Sequence, residues 1–153
     1  MSLVKPTVYF SGTRILDDGS LVTVSSYSIG TQYETLGDLS YKTAPVLKFK
    51  GAVTITMGCP YAMKNYAQFT QNDLTYVGEL TEGVNATKAE IRYTYNGNAP
   101  TTSKSYIYMK PFVLNSNKSG SDNTKIKARV YRDGVVSDVY EVTIDIQGVD
   151  LVY

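Results

Sequence analysis

The stretch that decides the fold runs from Ala89 to Ile146. Within it Glu90-Ile-Arg-Tyr-Thr-Tyr95 alternates, with Ile91, Tyr93 and Tyr95 on one face and Arg92 and Thr94 on the other. A two-residue period marks a strand with one buried face, and that face, with Tyr93 and Tyr95, is expected to be core. Asn96-Gly97 is the favoured dipeptide of a type I′ turn, whose two central residues both need positive φ. The chain then passes Pro100, Tyr106-Ile-Tyr-Met-Lys110 and Pro111-Phe112 to a second alternating strand, Thr124-Lys-Ile-Lys-Ala-Arg-Val-Tyr131. A tight turn at Asp133-Gly134 leads into a last strand from Val135 to Ile146. This order of short strands and turns describes an antiparallel sandwich.

Toward the N-terminus the signal is also β. Val8-Tyr-Phe10 and Leu21-Val-Thr-Val-Ser-Ser-Tyr-Ser-Ile29 are rich in β-branched and aromatic residues and are split by Asp17-Asp18-Gly19, a hairpin-type turn. Residues 30–44 are polar and mixed, a loop or arm. Val46–Phe49 and Ala52–Met57 read as two strands or as one interrupted at Gly51. Residues 60–71 give partial helical spacing over about two turns, which predicts a loop with at most a short helix. Leu74-Thr-Tyr-Val77 is a further short strand, and 82–88 a polar connection. The fold class expected is all-β: an Ig-like antiparallel β-sandwich over 45–153 with an insertion at about 58–88, preceded by an N-terminal docking arm or hairpin over 1–44.

Composition narrows the function. The chain has 153 residues, 42% of them apolar and 19% charged, which suits one globular domain. A net charge of +1 gives no basic excess for a nucleic-acid groove or an anionic membrane surface. Lys125, Lys127 and Arg129 share one face of their strand and read as its wet side. No apolar run approaches the roughly 18 residues a membrane helix needs. The opening residues are too short in apolar run and too early in proline for a signal peptide, so no export tag is expected. The sequons at Asn85 and Asn117 are then incidental.

Cys59 is the single cysteine, so no intrachain disulfide exists. With no histidine in the chain there is no base for a thiol or serine nucleophile and no imidazole for zinc. The carboxylate pairs Asp17/Asp18 and Glu79/Glu82 sit in turns or loops, not across a cleft. The Asn115–Asn123 loop imitates half a calcium loop with neutral amides and puts Ile126 where the bidentate Glu belongs. The expectation is a non-enzymatic protein with no cofactor and no metal.

Fourteen tyrosines and no tryptophan remain to be explained. Tyrosine suits surfaces that are partly packed and partly wet. Tyr106 and Tyr108 share the face opposite Ile107, beside a proline turn. A subunit interface, a sugar platform and strand packing are all open to them, with packing or interface favoured because sugar platforms commonly recruit tryptophan.

Residues 89–146 resemble the small Ig-like module known as the chitobiase/β-hexosaminidase C-terminal-type domain. The resemblance is carried by Ile91, Tyr93, Thr94, Gly97, Pro100, Thr101, Tyr108, Pro111, Ile126, Lys127, Ala128, Asp133, Gly134 and Ser137, and Pro45–Met57 extends it as a first strand. Asn96 stands where that family usually has Asp, and 58–88 is longer than its usual link. Such modules are accessory, riding beside enzymes, on bacterial surface proteins and in phage virion proteins. The resemblance implies a scaffold or adhesive role and transfers no active site. The function expected is therefore that of a structural protein of a tailed bacteriophage virion, made in the host cytoplasm. It would be a head decoration, head-fibre or tail accessory subunit, homo-oligomeric and bound to capsid, portal-vertex or tail subunits. A carbohydrate- or cell-surface-binding module, contacting host-surface glycan, is the alternative.

Overall fold

In a computed structural model the described residues are 3–29, 46–64, 66–71, 74–79, 88–118 and 122–148, with the side chains of 66–71 and 74–79 left aside. All the regular structure among them is β. The strands are β1 (Thr7–Ile15), β2 (Leu21–Tyr27), β3 (Leu47–Lys50), β4 (Val53–Gly58), β5 (Tyr66–Gln71), β6 (Leu74–Glu79), β7 (Glu90–Thr94), β8 (Tyr106–Ile107), β9 (Phe112–Leu114), β10 (Thr124–Arg132), β11 (Val135–Val136) and β12 (Tyr140–Gln147).

Ten of these strands form one curled sheet in the order β8-β7-β10-β12-β3-β1-β4-β9, with β11 on β10 and β2 on β1. The sheet curls at β1. Its first half pairs with β4, from Thr7↔Gly58 to Ser11↔Thr54, while Arg14 and Ile15 pair with Phe49 and Lys48 of β3. Gly12 sits at that corner, where a Cβ would come within 3.3 Å of the Ala52 carbonyl oxygen, so the close crossing favours a residue without a side chain. Between the named strands pairing is antiparallel except for β3 and β12, which run parallel with Ile144 opposite Leu47.

One core fills the curl. Val8 and Phe10 of β1, Leu47 and Phe49 of β3, and Val53 and Ile55 of β4 face Ile91, Ile126, Val130, Val142 and Ile144, all essentially inaccessible to solvent. The alternation in β10 and β12 is strict: Ile126, Ala128 and Val130 point inward, and Lys125 points out to solvent. Burying a Val, Leu, Ile or Phe side chain contributes on the order of 1.5–3 kcal/mol, so these alternating runs dominate the fold's stability.

Residues 1–44, expected as an arm or hairpin with a turn at Asp17-Asp18-Gly19, contain the β1–β2 hairpin, and β1 lies between β2 on one side and β3 and β4 on the other, with Val8 and Phe10 in the core. One sequence expectation changes here. Residues 66–71, read as loop or short helix, form β5, which pairs with β6 over six residues from Tyr66↔Glu79 to Gln71↔Leu74. Two turns of partial spacing were too few to fix a period, and a neighbouring strand decided the conformation. The segments 30–45 and 80–87 lie outside the described residues, as do Asn85 and Glu82.

The turns divide as well. Asp133 (φ 51°) and Gly134 (φ 78°) both adopt left-handed conformations between Arg132 and Val135, which pair directly, so this is the type I′ hairpin. At Asn96-Gly97 only Gly97 does so, at φ 90°, and the expected type I′ turn does not form. Asn96 instead uses its side chain, Oδ1 accepting the Asn98 N–H at 3.0 Å.

Candidate functional site: the aromatic end of β7 and β8

Strand β7 carries its aromatic face from the core to the rim of the sheet. Tyr93 is buried, 9% exposed, and stacks on Phe112 at 4.8 Å and 11°. Tyr106, directly across from it on β8, tilts against it at 5.4 Å. Tyr106 in turn stacks on Tyr95 at 5.2 Å and 10°, and the Tyr95 hydroxyl donates to that of Tyr106 at 3.2 Å. Four rings, Phe112, Tyr93, Tyr106 and Tyr95, are thus linked, and they join buried Tyr93 to Tyr106, which is 52% exposed. Burial, and after it the neighbouring phenols, pushes Tyr93 up to about 12. The hydrogen bond to Tyr106 and then burial raise Tyr95.

Beyond the last rings opens a cleft of about 560 Å³, lined among others by Tyr95, Asn96, Asn98, Thr101, Lys104 and Tyr106. Its walls are tied down. The Thr94 hydroxyl donates to the Asn98 carbonyl, and that of Ser105 to the Thr101 carbonyl. Thr101 Oγ1 accepts the Lys104 N–H at 3.0 Å. From the opposite face of β7, Arg92 Nη1 donates to the Thr102 carbonyl at 3.1 Å and to Ser105 Oγ at 3.3 Å. Arg92 is itself held by an ion pair with the buried Glu90, Nε to Oε2 at 2.6 Å. The Tyr131 hydroxyl donates to the carbonyl of buried Pro100 at 3.1 Å.

The candidate residues separate accordingly. Tyr106 and Tyr108, for which a subunit interface, a sugar platform and strand packing were all open, do not share a platform. Tyr108 is half-buried against the core, its N–H bonded to the Ile91 carbonyl at 2.8 Å and its ring tilted 58° to Phe112. Tyr95 takes the place beside Tyr106. The strand period put Tyr95 on the core face but could not show that the core ends before it is reached. Pro111 is exposed ahead of β9, and Asp133 and Gly134 are exposed at a turn beyond the Glu90 end of β7, where Tyr131 pairs with Glu90, opposite to the end that carries the cleft.

The other chemical candidates hold the structure together. Asp18 lies in the exposed β1–β2 turn, where hydrogen bonds from the Ser20 hydroxyl and N–H lower its pKa. Asn117, from the loop that imitates a calcium site, donates to Asp145 Oδ1 at 3.0 Å and accepts the Ile146 N–H at 2.9 Å, clamping that loop to β12. Cys59 is half-buried, its Sγ 3.4 Å from Met63 Sδ, and burial raises its thiol pKa. Among the described residues no group of three or more His, Cys, Asp or Glu side chains stands ready for a metal, and no helix is long and apolar enough to cross a membrane.

Over residues 80–144 the chain is similar to an Ig/Fn3-like accessory domain. Residues 80–144 match a family model described as Fn3 associated, a segment that takes in β7 to β11 and most of β12. No curated protein and no solved structure matches the chain.

Proposed function

We propose that this protein is a non-enzymatic structural subunit of a tailed bacteriophage virion, a head decoration, head-fibre or tail accessory protein that docks on neighbouring virion proteins and on copies of itself. The observation that carries this reading is the apolar character of the sheet edges. β2, β9 and β11 each pair with a single strand among the described residues. Their outward side chains include Leu21 and Val22, Val113, and Val135 and Val136, all exposed. Soluble monomers usually protect such edges with charge, proline or short length. β2 carries no charged residue over its whole span. Edges of this kind favour strand addition to a neighbour, in which main-chain hydrogen bonds supply affinity and the apolar side chains add burial. An accessory domain of the Ig/Fn3-like class is a fitting carrier for that role.

Sedimentation of the purified chain tests the docking surface. The wild type is expected to associate with rising concentration, and Leu21→Lys with Val113→Lys to return it to monomer without changing its thermal unfolding. A wild type that stays monomeric at every concentration contradicts self-docking through these edges.

A further inference from the structure

We infer that the cleft at the end of β7 and β8 is a saccharide-binding site, with Tyr95 and Tyr106 as its stacking wall and Asn96, Asn98, Thr101 and Lys104 as its polar wall. The composition of the lining is the first reason. Phenol rings offer flat apolar surface to the C–H face of a pyranose, and their hydroxyls, with the amide and hydroxyl side chains, match a ligand rich in hydroxyl groups. A purely apolar ligand would leave those polar groups without partners, which is costly on desolvation.

Size and rigidity are the second reason. A volume of about 560 Å³ lies within the usual range for small-molecule sites and holds a short oligosaccharide. The bonds from Thr94 to Asn98, from Ser105 to Thr101 and from Arg92 to Thr102 fix the walls before any ligand arrives. Such preorganisation lowers the ordering cost of binding. A turn needed only to connect β7 to β8 does not require an arginine, itself held by a buried glutamate, beneath it.

Charge gives the selectivity. Among the described residues Lys104 is the one charged side chain in the lining, and none of them brings a carboxylate to it. The site accordingly favours neutral or uronic-acid chains over chains of cationic amino sugars. This site is independent of the edge strands, so its failure leaves the docking reading standing and its success does not establish it.

A glycan array carrying neutral, uronic-acid and free amino-sugar chains, followed by NMR titration with the best member, tests the inference. The expected result is saturable binding with shifts confined to Tyr95, Tyr106 and the 96–105 loop, and affinity lowered about tenfold or more by Tyr106→Ala, in keeping with a lost aromatic anchor. Tyr95→Phe, which removes only a hydroxyl, keeps the fold and weakens binding less. Lys104→Gln weakens uronic-acid chains selectively. No binding to any array member overturns the inference, and so does binding that Tyr106→Ala leaves unchanged in a folded variant.

Discussion

Tyr95 and Tyr106 lie ring on ring, 5.2 Å between centroids and 10° from parallel, with their hydroxyls 3.2 Å apart. The contact joins the end of β7 to β8 and completes a row that includes buried Tyr93 and the half-buried Phe112 stacked on it. Each ring supports the next, so the rim of the cleft inherits its geometry from the core. Paired rings of this kind contribute roughly 0.5–1.5 kcal/mol beyond the area they bury.

The row makes the protein sensitive to alkali. Tyr93 ionises at about 12 when folded, against 10.0 for a free tyrosine. Folding therefore favours the neutral phenol. The stability gained is complete below pH 10 and is lost as pH rises through 12. Denaturation midpoints measured from pH 8 to 12 are expected to fall above pH 10, and Tyr93→Phe, which keeps the ring stack, is expected to flatten that fall. Ultraviolet titration of the phenolates should show one group ionising well after the exposed tyrosines.

Ser137 is the second test. It is 1% exposed, its Oγ accepts the Val130 N–H at 2.8 Å and its hydroxyl donates to the Asp138 carbonyl at 2.8 Å. Ser137→Ala leaves a buried backbone N–H without its partner, at an expected cost of about 1–3 kcal/mol in chemical denaturation. Ser137→Thr, which keeps the hydroxyl, should recover part of this unless the added methyl clashes, and thermal melts of both variants separate the two effects.

The hairpin at Asp133-Gly134 gives a sign-specific pair. A Cβ on Gly134 would meet nothing within 4 Å, so Gly134→Ala acts through the backbone alone. A left-handed conformation costs an L-residue roughly 1–2 kcal/mol, and a loss of that order is expected. Asp133, already left-handed at φ 51°, should tolerate Gly with little change. Urea denaturation of both variants checks the contrast.

How far the sequence reached can be traced through these same residues. The strict alternation of Ile126, Ala128 and Val130 made β10 legible, because that face meets only apolar neighbours, while the single last strand expected from Val135 to Ile146 divides into β11 and β12 around the buried Ser137. The Asp133-Gly134 turn was legible for a local reason, since a tight turn restricts φ, whereas the burial of Ser137 was not, since Ser137 entered the reading only as part of the family resemblance. β1 was legible as a strand running into the Asp17-Asp18-Gly19 turn, but its place inside the sheet was not, because β3 and β4, which cover the side opposite β2, lie some forty positions on. Asn96 misled because its side chain, not its φ, closes the turn. Tyr95 was missed as a site residue because periodicity reports a face and not where along the strand that face leaves the core. The edges formed by β2, β9 and β11 depend on the final order of strands, which no local pattern contains.

The claim that this is a virion subunit is tested most directly by quantitative mass spectrometry of purified phage particles from the source culture. The account predicts this chain in the particles at tens to hundreds of copies, with the number separating a head decoration from a tail or portal-vertex part. Its absence from particles, with the protein free in the host lysate, would contradict the account.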